Sequence, residues 1–231
     1  MIILQIVLLL VSLILIGLFL YWLFILTEGA YLGRRVVVLL YDLTAHNYDG
    51  IKEFTADTES FFLIRPLRHR LKNIPNPLVL DVATGTGRLP FYLLADPLFN
   101  GRIIGLDPSR KMLTFAAQKL APYRYRAALV QQTAVPLPFA NNTFDAATCL
   151  EALEFFPSDK EAVAEMLRVL KPNGVLLVTR RRGRDGKMFP GRYKSVERFE
   201  EMLVELGAVE VQTVPWQVEY DQIYGRKANS D

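Results

Sequence analysis

Two glycines and two aspartates carry the sharpest chemical signal in the chain. The run Asp81-Val82-Ala83-Thr84-Gly85-Thr86-Gly87 directly follows Leu78-Val79-Leu80, which reads as a strand, and precedes a helical pattern. Gly85 and Gly87 have no Cβ, so backbone amides in such a loop can approach a ligand closely. Twenty residues beyond Gly87 stands Asp107, at the end of the next strand-like run, where a carboxylate can accept both hydroxyls of a ribose. Together the loop and Asp107 point to an adenosine-containing cofactor. A dinucleotide loop of the G-x-G-x-x-G form would place its third glycine where Pro90 stands. Asp81 at the strand end would repel a pyrophosphate and favour a ligand bearing an ammonium group. S-adenosylmethionine has an ammonium, a sulfonium and no phosphate.

Other reactive side chains give weaker signals. His46 lies in a polar stretch beside Tyr41 and Tyr48 and reads as a structural or surface residue, and His69, among Arg68, Arg70 and Lys72, reads as a solvated helix residue. The single cysteine, Cys149, reads as a small buried hydrophobe at a strand end. It can form no internal disulfide or cysteine metal cluster, which suits a reducing compartment. The run Arg180-Arg181-Arg182-Gly183-Arg184 follows the fifth strand. It reads either as a solvated loop or as a contact for anionic lipid headgroups or an acidic acceptor, with Lys187, Arg192 and Lys194 extending the basic region. Trp216 reads as a packing residue.

The elements that must position these residues alternate. Strands are expected at 78–83, 102–107, 127–132, 144–150, 175–179, 209–214 and 218–224. Helices are expected at 88–95, 109–120, 158–170 and 196–206, with a Pro-Asn-Gly turn at 171–174. This alternation predicts an α/β fold with a parallel sheet flanked by helices. Ahead of it, apolar spacings of three and four from Phe61 to Leu71 predict an amphipathic helix over 55–73, kinked or divided at Pro66. Val36 to Leu40 is a short apolar run followed by a turn-rich stretch to Gly50, read as a connector or lid.

The first 27 residues contain no charged side chain, so all 27 Lys/Arg and all 24 Asp/Glu lie in the remainder. From Ile2 to Leu26 only Gln5 and Ser12 are polar. About 25 helical residues span roughly 37 Å, enough for a hydrocarbon core of about 30 Å. The run is too long, and lacks the basic start, of a cleaved signal peptide. It is expected to be an uncleaved transmembrane anchor, with Tyr21 and Trp22 at an interface. Arg34 and Arg35 then bias the rest toward the cytoplasm, giving a single-pass cell-membrane protein. The division expected is an anchor over 1–27, a connector, lid and amphipathic helix over 28–76, and a cofactor-binding domain over 77–231. A net charge of +3 is too mild and too mixed for a nucleic-acid groove.

The blocks LDVATGTGRL, IIGLDPSRKML, PLPFANNTFDAATCLEALEFFP, EMLRVLKPNGVLLVT and VEYDQIYGRK, in this order, resemble class I S-adenosylmethionine-dependent methyltransferases. The ATGTG form looks like that of the menaquinone and ubiquinone C-methyltransferase branch. The resemblance implies a Rossmann-like seven-stranded sheet with an antiparallel last strand. It also implies that Asp81, Ala83, Gly85 and Gly87 border the methionine part of the cofactor. By the same resemblance Asp107 holds the ribose, Pro108 and Met112 pack on the adenine, and Thr133 and Ala134 occupy the place of an Asp-Ala pair reading the adenine edge. Leu150 and Glu151 would lie close to the methyl group. Thr133 departs from the usual Asp, and Phe155 replaces a histidine common in the family, which removes the obvious general base.

The expected activity is in-line methyl transfer to a small, lipophilic or membrane-associated acceptor. The catalytic candidates are His46, Tyr48 and Glu151, none singled out by spacing. The competing reading is a catalytically weak, membrane-tethered cofactor-binding or scaffold protein. The residues leave the acceptor, the atom methylated and the oligomeric state open.

Overall fold

The computed structural model describes residues 1–52 and 55–229. Helix α1, Ile2–Tyr21, runs straight into a π-helical turn, Trp22–Leu26. The whole segment is long and apolar enough to cross a membrane, and no side chain of α1 is buried. Its foot is fastened to the rest of the chain. Thr27 Oγ1 donates to the Leu23 carbonyl at 3.1 Å, closing the helix end. The Trp22 indole N–H donates to the Met188 carbonyl at 3.0 Å, and its ring stacks on Tyr31 at 5.1 Å. The Tyr31 hydroxyl donates to the Pro190 carbonyl at 2.8 Å. Arg192 reaches the Ala30 carbonyl at 2.8 Å.

Residues expected to form a turn-rich connector are helical instead. Helix α2 covers Arg34–Thr44, a 3-10 turn follows at Ala45–Asn47, and α3 is Tyr48–Lys52. Next come α4, Ala56–Glu59, a π turn at Ser60–Ile64, and α5, Arg65–Leu71. Pro66 divides this stretch as its chemistry requires. It has no N–H for the carbonyl four residues back and its ring crowds that carbonyl. The carbonyl in question, Phe62, takes a bond from the Gln222 side chain at 3.0 Å.

The remainder alternates strand and helix: β1 Leu78–Val82, α6 Arg88–Ala95, β2 Arg102–Asp107, α7 Arg110–Lys119, β3 Ala127–Gln131, β4 Phe144–Cys149 and α8 Asp159–Val169. After them come β5 Leu170–Arg181, α9 Gly183–Lys187, α10 Val196–Glu205, β6 Ala208–Pro215 and β7 Tyr220–Lys227. The seven strands form one sheet in the order β3-β2-β1-β4-β5-β7-β6, with β7 antiparallel to both neighbours. The expected turn at 171–174 is absorbed into β5 as an irregularity, since the register jumps from Phe144↔Leu170 to Ala146↔Val175.

Alternation along the strands feeds two cores. Leu80, Leu176 and Val178 pack with Val163 of α8 and Leu203 of α10 on one face. Val79, Val175 and Leu177 pack with Leu67 of α5 and Leu93 of α6 on the other. The strand order reverses between β1 and β4, so the carboxyl ends of β1, β2 and β4 open onto the crevice where α/β sheets bind ligands.

Candidate functional site

The loop between β1 and α6 is held from below by Asp81. In the sheet Asp81 lies opposite Thr148 on one side and Gly105 on the other. Thr84 and Thr148 each donate a hydroxyl to its carboxylate at 2.6 Å. A Cβ at Gly105 would come within 2.9 Å of the Thr84 side chain, so glycine there leaves room for this arrangement. Burial raises the Asp81 carboxyl to about 6, partly countered by the two hydroxyl bonds. Asp81 therefore pins the loop and does not line the crevice. Gly87 is also set back: at φ +78°, a Cβ would stand 3.2 Å from that of Ala116, so it brings α6 close to α7. Gly85, at φ +54°, faces open space where a Cβ would meet nothing within 4 Å.

Asp107 ends β2 beside this opening. Its carboxylate accepts from the Gly85 N–H at 2.9 Å and from the Ser109 N–H at 2.8 Å, one bond to each oxygen. Each oxygen retains a lone pair for a further donor. Burial raises this carboxyl too to about 6, against the pull of the two backbone donors. Ser109 caps α7 by accepting from the Met112 N–H and donates its own hydroxyl to Asp42 of α2.

A cavity of about 260 Å³ opens at this point. Ala83, Gly85, Asp107, Pro108, Met112, Thr133, Ala134 and Leu150 line it, so eight of the ten expected cofactor-binding residues meet there. Val37, Val38 and Tyr41 of α2, with Val135, Phe155 and Phe156, add apolar lining, and Arg34 and Glu161 add a charge of each sign. Phe155, where the family often has histidine, packs edge-on against Tyr41 at 5.9 Å and Phe189 at 6.0 Å.

Of the three catalytic candidates, Tyr48 and Glu151 line the cavity and His46 does not: it is exposed on the 3-10 turn after α2. Burial and the neighbouring Glu151 push the Tyr48 phenol up, so it stays protonated and serves as a donor. Glu151 accepts from the Arg88 guanidinium at 2.6 Å and from the Gln217 amide at 3.3 Å. Arg88, nearly buried at the start of α6, also grips Glu59 of α4 through two bonds of 2.9 and 2.7 Å and lies over the Trp216 ring. One guanidinium thus ties the amphipathic helix, the glycine loop and the end of β4 together. Its carboxylate partners are 29 and 63 residues away, so no local pattern announces it.

The first two arginines of the run depart from both sequence expectations, whereas Arg184 stays exposed on α9. Arg180 and Arg181 belong to β5, where alternation sends them to opposite faces, and each meets an acidic partner there. Arg180 pairs with buried Asp221 at 2.5 Å. Arg181 pairs with Glu154 at 2.9 Å and bonds the Tyr220 hydroxyl at 2.9 Å. Arg182 shares Asp221 at 3.2 Å. Burial raises the Glu154 carboxyl despite the attraction of Arg181. Cys149 is buried at the end of β4, where burial lifts its thiol well above the usual range and leaves it an inert hydrophobe.

Residues 80–178 match the methyltransferase domain family. Over 105 residues the chain is 40% identical to a demethylmenaquinone methyltransferase of Desulfitobacterium hafniense, covering 45% of this chain and 42% of that protein. A protein of the same name from Symbiobacterium thermophilum is 34% identical over 137 residues, covering 58% and 55% respectively. The chain spans about half the length of the curated relatives it matches. Among solved structures, a protein assigned as an S-adenosyl-L-methionine-dependent methyltransferase from Methanococcus maripaludis matches with a TM-score of 0.65 at 21% identity, over 82% of this chain and 94% of that one. The cyclase SpnF matches with 0.61 at 21% identity, over 73% and 80%. Likeness at this level speaks for the fold alone, since one scaffold hosts several reactions. The family match, the relatives and the sheet order converge on residues 80–178, which are similar to methyltransferase domains in sequence and share their fold.

Proposed function

We propose that this protein transfers a methyl group from S-adenosylmethionine to a small lipophilic acceptor at the cytoplasmic face of a membrane that residues 2–26 span. One observation carries the reading: a pre-oriented carboxylate, Asp107, and an open glycine, Gly85, face a cavity that is otherwise largely apolar. The residues fit the cofactor. Asp107 has two free lone pairs for the ribose hydroxyls, Met112 and Ala134 offer an apolar slot for the base, and Gly85 leaves the room that a Cβ would fill.

When bound, S-adenosylmethionine supplies a methyl already activated on a positively charged sulfur. The chain's own part is then to align the acceptor and exclude water. Tyr48 holds a proton and can orient an acceptor oxygen. Glu151 is committed to Arg88, so it places negative charge beside the reacting centre more than it removes protons. With no free strong base in the cavity among the described residues, the reading favours an acceptor that is nucleophilic by itself, as an electron-rich phenol or hydroquinone ring is. The names of the relatives give demethylmenaquinone, a lipophilic molecule, as what they methylate, which supports a lipophilic acceptor for this chain.

The test is transfer of labelled methyl from S-adenosylmethionine into a lipid extract by the full-length protein in membranes. Label in an organic-extractable product, lost in Asp107→Ala, is expected. Label confined to water-soluble products would refute the lipophilic acceptor, and tight binding of NADH in place of S-adenosylhomocysteine would refute the cofactor.

A further inference from the structure

Helix α2 has two apolar faces. Val37, Val38 and Tyr41 contribute to the cavity wall, whereas Leu39 and Leu43, one helical turn apart, stand 56% and 58% exposed. Leu32 extends the exposed row ahead of the helix. Water gives no reason for such a row, and exposed apolar patches mark surfaces that something covers.

Position and charge identify the cover. The row begins six residues after Leu26, the last residue of the apolar helix, and the foot of that helix is locked to the domain through Trp22, Tyr31 and Arg192. Helix α2 cannot swing freely, since Asp42 also holds the Ser109 cap. Arg35 stands exposed at its start on the side of the leucines, Arg34 lies at the cavity rim, and the first turn holds no acidic side chain. An apolar stripe flanked by an arginine, directly after a span, has the composition of an interfacial helix whose leucines enter the headgroup boundary while the guanidinium meets a phosphate.

We propose that the outer face of α2 lies on the surface of an anionic bilayer, with Leu32, Leu39 and Leu43 inserted and Arg35 at the headgroups. This rests on the reading of residues 2–26 as a membrane span. It adds a geometric consequence: one helix has lipid on one face and the cofactor cavity on the other. An acceptor dissolved in the bilayer then has a single helix between it and the reacting centre, and the membrane itself orders the apolar wall of the site.

The experiment uses full-length protein with one environment-sensitive fluorophore on Leu39→Cys, Ile14→Cys or Glu201→Cys, Cys149 being buried. Each is reconstituted into phosphatidylglycerol-containing vesicles with nitroxide lipids carrying the spin either near the headgroup or near the chain end. The label at 39 should lose emission to the shallow nitroxide more than to the deep one, the label at 14 should show the opposite order, and the label at 201 should respond to neither. A quenched label at 14 with an unquenched, water-like label at 39 overturns the proposal and leaves the span intact. A blue-shifted but unquenched label at 39 overturns it in favour of a second copy of this chain covering the face. An unquenched label at 14 overturns the span reading and this proposal with it.

Discussion

Acidifying the protein from about pH 8 to about pH 5 should weaken S-adenosylhomocysteine binding roughly tenfold, with Asp107 as the titrating group. An ionised carboxylate accepts from both ribose hydroxyls, whereas a protonated one has given an acceptor site to its own proton. Burial places the Asp107 carboxyl near 6 in the free protein, above the ordinary 3.8, against the opposing pull of the Gly85 and Ser109 amides. With that value, about one site in eleven is ionised at pH 5 and nearly all are at pH 8, which gives the tenfold ratio. The same displacement acts on folding in the opposite sense. A carboxyl whose folded value is raised contributes stability below about pH 4 that is lost as pH rises through about 6, so the ligand-free domain is strained by the ionisation that the ligand needs.

Calorimetric titration of the full-length protein across this range tests the argument, with two variants as controls. Asp107→Asn should flatten the profile and lower the plateau affinity by the worth of a charge-assisted hydrogen bond, about 1.5–3 kcal/mol, or roughly ten- to a hundredfold. Asp81→Asn should keep the slope. Asp81 also titrates near 6, but its oxygens are occupied by Thr84 and Thr148 and it lies outside the cavity lining. An affinity that is level from pH 5 to pH 8, or a slope that vanishes in Asp81→Asn and persists in Asp107→Asn, would refute the assignment.

Gly85→Ala and Gly87→Ala both place a Cβ on left-handed backbone, at about 1–2 kcal/mol each. Only the second also meets Ala116, so thermal unfolding should show the larger loss at Gly87 and calorimetry the larger affinity loss at Gly85; the reverse order would be wrong for this geometry. Arg88→Met removes the cation shared by Glu59 and Glu151 and should cost about 3–5 kcal/mol in chemical denaturation. A loss below about 1 kcal/mol would mean that the two carboxylates do not depend on Arg88. Arg181→Met leaves Glu154 buried without its cation and should lower the unfolding midpoint while leaving salt-sensitive attachment to anionic vesicles unchanged. Unchanged stability with lost attachment would return Arg181 to the membrane surface.

The contrast between Arg181 and Asp107 shows which parts of this site the sequence makes legible. Gly85, Asp107, Pro108 and Met112 lie within 28 residues of one another on consecutive strand, loop and helix, so period-two and period-3.6 patterns suffice to bring them to one crevice. The arginines after Thr179 look like a charged loop because their partners, Glu154 and Asp221, are 27 and 41 residues distant and join only when β5, β7 and the turn after β4 come together. The Pro-Asn-Gly motif is a genuine local bend, but pairing with β4 on both sides draws it into the sheet.

Helix α2 was hidden for a different reason. Amphipathic helices are recognised by polar residues on the solvent side, and Val36 to Leu40 offers none. A helix between water and a core must alternate; one between a lipid surface and an apolar cavity need not. The unbroken apolar run at Val36–Leu40 that made this segment look like a connector is thus what its two environments would select. The same logic assigns the charged residues of α2. Asp42 bonds the Ser109 hydroxyl at the α7 cap, and Arg34 and Arg35 mark the end where the chain leaves the foot of the apolar helix. If labels on Leu39 report lipid, the unbroken apolar run within α2 becomes a readable signature of a helix with an apolar medium on each side.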